Sequence, residues 1–273
     1  MIEAEGSPRV GFLASDEPGW RRLRLEGVLI SRLAAAGVPV PTLASEDETL
    51  GLQVRGRVPG TVGHEIERLV FGTPSLPDSA LRYSPECPLT APGRHLAREL
   101  GGAIARLHCA VPADEAKELG FGEREPENWE RVAAVLAHAA PDLLGPLERL
   151  RRWEADLPPD PVLAHGDVHM FNMGVDAETG ALTGLFDFDA AALAHRYEDL
   201  KFVLSNGYPF ASQALRAYGE TAGVEGSLSL LARFHVRSAL AHFEVVAPTA
   251  PRFPQIVEWS KSAVRDLVPE WTE

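Results

Sequence analysis

Lysine is scarce in this 273-residue chain: of 26 basic residues only Lys117, Lys201 and Lys261 are lysines, and none precedes residue 117. Cysteine is as sparse. Cys87 and Cys109 are the only two, too few for a disulfide framework and without metal-ligand spacing, which makes a reducing, cytoplasmic setting the expectation. Positive charge is in deficit, with 26 Lys+Arg against 39 Asp+Glu and a formal net charge of -13. Such a field repels nucleic acid and anionic membrane surfaces, so neither is expected as a partner, whereas a cationic small molecule would suit it. Long hydrophobic runs are missing too: no stretch approaches the ~18 apolar residues of a membrane span. The opening Met-Ile-Glu-Ala-Glu-Gly lacks the basic start and apolar core of a secretory signal. Apolar residues still make up 45%, ample for a buried core.

The pattern divides the chain. Ser15-Asp16-Glu17-Pro18 reads as a helix cap with proline in the first turn, and Trp20, Leu23, Ile30 and Leu33 recur at helical spacing until Gly37 and Pro39, which predicts a helix over 17–36. Short strands are expected at Val10–Ala14 before it and Leu50–Val58 after it. Prolines 74, 77, 85, 88 and 92 mark a loop-like stretch over 72–93. Leu96, Leu100, Ile104 and Leu107 then define an apolar helix face. Further helices are expected near 126–139, 143–155, 196–206, 211–222, 227–246 and 254–267. Between them, residues 161–189 change period: strands are expected at Val162–Ala164, Asn172–Asp176 and Leu182–Phe186, the last two joined as a hairpin through a turn near 178–180.

The chemistry concentrates in His165-Gly-Asp-Val-His-Met-Phe-Asn172 and Phe186-Asp-Phe-Asp189. Folding the hairpin brings Asp187 beside Asn172, since antiparallel neighbours lie about 5 Å apart. An amide oxygen and a carboxylate suit magnesium, which takes few protein ligands and completes its octahedron with phosphate and water. Asp167, on a loop opened by Gly166, faces the same point as a carboxylate able to receive a hydroxyl proton. These are the parts of phosphoryl transfer. Each residue alone has a plainer reading as a turn former. Asp189 is open between a cation contact and a hairpin-end cap. His165 is expected to buttress the loop and His169 to fill a pocket beside it, while His235 and His242 read as core histidines. Gly166-Asp-Val-His169 also matches an Asp-x-His block of metal-dependent phosphoesterases, but the strand-like regions offer no further ligands for two metals.

His165-x-Asp167-x-x-x-x-Asn172 with Asp187 resembles the catalytic block of the aminoglycoside phosphotransferase family, kinase-like small-molecule phosphotransferases related to choline kinases. Leu107-His108, Ala194-His-Arg-Tyr-Glu-Asp-Leu200, Gly37-Val-Pro-Val-Pro41 after the helix carrying Glu26, and Arg57-Val-Pro-Gly60 resemble other segments of that family in the same order. The resemblance implies an α+β, protein-kinase-like two-lobed fold: a reduced N-terminal lobe over 1–55, a linker at 56–60, and a mainly helical C-terminal lobe over 61–273. It implies transfer of the terminal phosphate of ATP or GTP to a small-molecule hydroxyl, with an aminoglycoside or another amine-bearing compound as acceptor. Asp167 would be the base, Asn172 and Asp187 would hold Mg2+, Asp199 would anchor the loop, and Val54, Gly56 and Val58 would meet the base of the nucleotide. The chain departs from the family in having no strand lysine to pair with Glu26 and too few residues before Arg9 for a phosphate-covering hairpin. Arg9 lies about where that lysine is expected and is the candidate replacement, although arginine is not its equivalent. The departure keeps a second reading open, a non-catalytic nucleotide- or metabolite-binding regulator.

Overall fold

The computed structural model describes residues 8–73 and 77–271; residues 1–7 and Pro74 of the proline-rich stretch lie outside them. The N-terminal lobe contains β1 (Arg9–Leu13), α1 (Glu17–Ala35), β2 (Leu43–Asp47) and β3 (Leu52–Gly56), with the antiparallel sheet ordered β1-β3-β2. The start of α1 follows the sequence signal, for the Asp16 side chain accepts from Gly19 N at 2.8 Å and Pro18 occupies the first turn. Trp20, Leu29, Ile30 and Leu33 are buried, which turns the predicted apolar stripe inward. β2 has no such signal. Its Leu-Ala-Ser-Glu-Asp sequence lies at the edge of the sheet and is almost wholly exposed, so no apolar alternation marks it.

The C-terminal lobe runs through α2 (His64–Phe71), α3 (Ser79–Arg82), α4 (Ala91–Ala110), α5 (Ala113–Leu119), α6 (Trp129–Ala139) and α7 (Leu144–Ala155). After β4 (Pro161–Ala164), β5 (Met173–Val175), β6 (Leu182–Leu185) and β7 (Ala192–His195) come α8 (Tyr197–Leu200), a 3₁₀ segment Lys201–Asn206, α9 (Tyr208–Ala222), α10 (Leu228–Val245) and α11 (Phe253–Leu267). Its core centres on α4 against α9. Leu96, Leu100, Ile104 and Leu107 are buried there, and a Cβ added at Gly101 would run into the Ala214 carbonyl, so the two backbones approach as only glycine permits. The helix expected over 196–206 divides into α8 and the 3₁₀ segment, a tighter winding that brings positions i and i+3 into line. No helix among the described residues is long and apolar enough to cross a membrane.

Two small ladders interrupt the helices and position the site. β5 and β6 pair antiparallel with Met173 opposite Leu185 and Gly174 opposite Gly184, the hairpin expected from the sequence. Its turn is closed by the Asp176 carboxylate, whose Oδ1 accepts from the backbone N of Glu178 at 3.1 Å and Thr179 at 2.8 Å. The partner of β4 was not legible: it is β7, whose Ala-Leu-Ala-His sequence has neither turn signals nor β-branched residues. The linker after β3 is stitched to the hairpin. Thr61 and Val175 exchange backbone hydrogen bonds of 2.8 and 3.0 Å, Thr183 Oγ1 donates to Pro59 O at 2.5 Å, and Val58 packs over Gly174 and Gly184. Leu185 N also donates to Pro39 O at 2.8 Å, tying the hairpin to the loop after α1.

Candidate active site

The loop His165–Asn172 is held from below by a buried carboxylate. Asp199, wholly sealed from solvent at the α8 start, accepts from His165 N at 2.8 Å, Gly166 N at 2.7 Å and His108 Nε2 at 2.9 Å. Burial pushes its pKa up, but the His108 hydrogen bond, the fields of His108 and His165 and the Gly166 N–H pull it below the usual carboxylate range. Gly166 has φ +86°, and a Cβ there would strike the Ala190 carbonyl, which ties the loop closely to the end of the hairpin segment. The buried His165 donates from Nε2 to Phe186 O at 3.0 Å, leaving Nδ1 to accept from Asp167 N at 3.4 Å. Its ring therefore joins the loop to the hairpin and does not face the cleft.

Asp167 and Asn172 touch. Asn172 Nδ2 donates to Asp167 Oδ2 at 2.9 Å and to its backbone O at 3.0 Å, which turns the amide oxygen of Asn172 away from Asp167. His169 Nε2 lies 3.2 Å from Asp167 Oδ2. Burial raises the Asp167 carboxyl, but the His169 hydrogen bond and the positive fields of His169, Lys201 and His165 outweigh it, so the group is held below its ordinary range and ionised. Asp187 follows Phe186, whose N donates to Asn172 O at 3.0 Å. Among the described residues it is the one non-glycine with positive φ (+68°), a strained conformation characteristic of functional turns. Its carboxyl is pushed up by burial and by the negative charges of Asp189, Glu26 and Asp167. No group of three His, Cys, Asp or Glu side chains able to hold a metal occurs among the described residues.

Asp189 is exposed, and its backbone carbonyl accepts from Arg22 Nη2 at 2.6 Å, a contact between α1 and the hairpin end. Val54, Gly56 and Val58 are half-buried along β3 and the linker. Arg9 departs from its expected place. It is exposed and sits opposite Gly56, while Val10 sits opposite Arg55. Residues one apart on a strand point to opposite faces, so Arg9 lies on the face away from Arg55. The partner of Glu26 is instead Arg55, with Nη2 to Oε2 at 2.6 Å.

Beyond Asp167 opens a cavity of about 770 Å³. Its walls carry both signs, with Arg124, Lys201 and Arg237 against Glu67, Glu125 and Glu127. Lys201 is buried, its Nζ 2.9 Å from Glu198 Oε2 and 3.4 Å from Gly166 O. Glu198 also meets Arg237 at 2.6 Å, and Arg237 binds Glu127 and Glu154 besides. This network escaped the sequence reading, although one of only three lysines three residues after a glutamate in an apolar stretch was a usable signal. His242 lines the same cavity and donates to Ser238 O at 2.7 Å; His235 is fully buried and donates to Lys201 O at 2.7 Å.

A model of the phosphotransferase enzyme family matches residues 15–233, most of the chain. The chain belongs to this family. It is a small-molecule phosphotransferase enzyme of the aminoglycoside phosphotransferase type, with the kinase-like two-lobed fold. Solved structures share that fold at low identity. The apoenzyme of the macrolide 2′-phosphotransferase MphH from Brachybacterium faecium is 23% identical with a TM-score of 0.60, over 97% of this chain and 85% of that one. Spectinomycin phosphotransferase APH(9)-Ia, in complex with ADP and spectinomycin, is 12% identical with a TM-score of 0.62, over 98% and 88%. A choline/ethanolamine kinase family protein from Mesorhizobium loti is 17% identical with a TM-score of 0.62, over 97% and 84%. Membership gives no support to the non-catalytic reading.

Proposed function

We propose that this phosphotransferase moves the terminal phosphate of ATP or GTP to a hydroxyl of a small molecule, with Asp167 as the base. The observation that carries the reading is the 2.9 Å contact of Asn172 Nδ2 with Asp167 Oδ2, at the mouth of a cavity and beside Asp187. The hydrogen bond from Asn172 and the neighbouring His169 fix the Asp167 carboxylate, and its depressed pKa keeps it ready to accept the hydroxyl proton as the oxygen attacks. Asn172, through its amide oxygen, and Asp187 would hold magnesium, which when bound neutralises charge on the nucleotide phosphates. Glu26 faces the phosphate side, and Val54, Gly56 and Val58 border the base. The acceptor occupies the cavity beyond Asp167. An amine-bearing compound such as an aminoglycoside fits Glu67 and Glu125 on its wall, and the overall negative charge favours its approach.

A coupled nucleotide-turnover screen over aminoglycosides, macrolides, choline-like amines and sugars, with ATP and with GTP, tests this reading. Turnover should require one acceptor class and a divalent cation and vanish in Asp167→Ala. A thermal-shift titration completes the test, because a bound magnesium-nucleotide at a hundredfold excess over Kd stabilises by about 2.7 kcal/mol. Absence of any shift with either nucleotide sinks the proposal.

A further inference from the structure

The ion pair of Arg55 with Glu26 is nearly sealed from solvent, with side-chain exposures of 3% and 8%. Arg55 Nε donates to Gln53 Oε1 at 2.5 Å, and its guanidinium lies 4.4 Å from the centre of the Phe12 ring. Gln53 Nε2 in turn donates to Leu23 O at 2.9 Å and Glu46 Oε1 at 2.6 Å, so strand and helix are locked through one polar network. Taking two charges out of water costs several kcal/mol per ion, and apolar replacements of similar volume are often no less stable. A buried pair is thus a poor way to stabilise a lobe whose β1 and β2 are almost entirely exposed. Its position suggests a different use. Arg22, one turn before Glu26 on the same face of α1, is bound to the Asp189 carbonyl at 2.6 Å. Glu26 therefore stands where α1 meets the turn that carries Asp187, and Arg55 holds it there from the sheet.

We propose that Arg55 is the positioning residue of the nucleotide cleft. It fixes the Glu26 carboxylate, and with it the register of α1 against β3, in the arrangement that receives the nucleotide phosphates. Residues 9–56 contain no lysine, and Val10, which faces Arg55 across the ladder on the same side of the sheet, is apolar. The fixed cation thus resides on β3 and not on β1. This inference rests on the proposed nucleotide-dependent activity.

The test compares the wild-type protein with Arg55→Met and with the double variant Val10→Lys/Arg55→Met, which returns a cation to the same face from the opposite strand. Arg55→Met is expected to raise the nucleotide KM by roughly tenfold or more, leave the acceptor KM within about twofold and lose the magnesium-nucleotide thermal shift. The double variant is expected to regain the shift and most of the nucleotide KM, which a merely structural role would not produce. If Arg55→Met does not fold, Glu26→Gln, which keeps the volume, is judged by the same two KM values and the same shift. A nucleotide KM within about twofold of wild type, or a double variant no better than Arg55→Met, overturns the proposal. Those results leave the phosphotransferase reading intact, whereas a wild-type protein without any nucleotide shift overturns both.

Discussion

The loop and hairpin over 165–189 and the sheet over 9–56 are built to different standards. In the first, Asp199 is fully buried and gathers two backbone N–H groups and a histidine, His165 bridges two segments, and Asn172 makes two hydrogen bonds to one residue. In the second, every residue of β1 is exposed, one face of α1 is turned inward, and a single polar network around Arg55 and Gln53 joins helix to sheet. The difference separates two requirements. On the proposed reading the first region positions a base, which tolerates little error, and the second grips and releases a nucleotide, which needs a looser frame. Substitutions in the first region should therefore act on kcat or on the stability of the whole chain, and those in the second on nucleotide affinity.

The strongest test of that division is Asp167→Ala, for which kcat should fall by ~10²–10⁴ while the magnesium-nucleotide thermal shift stays near wild type. A parallel loss of the shift would merge the two regions. Next comes Asp199→Ala, which strands two buried N–H groups and His108; urea unfolding should show a loss on the order of 3–5 kcal/mol. His235 tests the same rigid side by pH. Burial pushes its pKa down to about 4 against the upward pull of Lys201 O, so the folded state refuses a proton that the unfolded chain accepts. Its contribution is complete above the ordinary histidine pKa and is lost as pH falls toward 4, in total about 3 kcal/mol. In His235→Asn, which keeps a donor toward Lys201 O, the pH dependence of the urea midpoint should flatten over that window. Gly101→Ala should cost about 1–3 kcal/mol by driving a methyl into the Ala214 carbonyl, read from the same unfolding curves. The smallest effect belongs to Arg9→Ala, whose exposed side chain lies on the far face of β1, and nucleotide KM should change less than about twofold.

Legibility in the sequence followed the same division. That Asp167, Asn172 and Asp187 lie near one another was readable because a short loop and a hairpin bring them together by local geometry, with Asp176 and Gly180 announcing the turn. The amphipathic helices were readable from their apolar spacing, and α1 came with its cap as well. Pairings between distant segments were not. Counting back from Glu26 along the chain reaches Arg9, but the ladder register presents Arg55 to it, and no local pattern reveals a register. The Lys201–Glu198–Arg237 network likewise joins α8, the 3₁₀ segment and α10, so only Lys201 and Glu198 left a trace in the sequence. β2 and β7 were missed because neither alternates apolar and polar residues.

The stitching of the hairpin carries a mechanical consequence. With Thr61 paired to Val175, Thr183 bound to Pro59, Val58 seated on two glycines and Leu185 tied to Pro39, the β5–β6 hairpin is geared to the linker and to the loop after α1. Arg22 clamps its far end. On the proposed reading Asn172 and Asp187 are the jaws that would grip the cation, and through these bonds a change of angle between linker and hairpin would be transmitted to them.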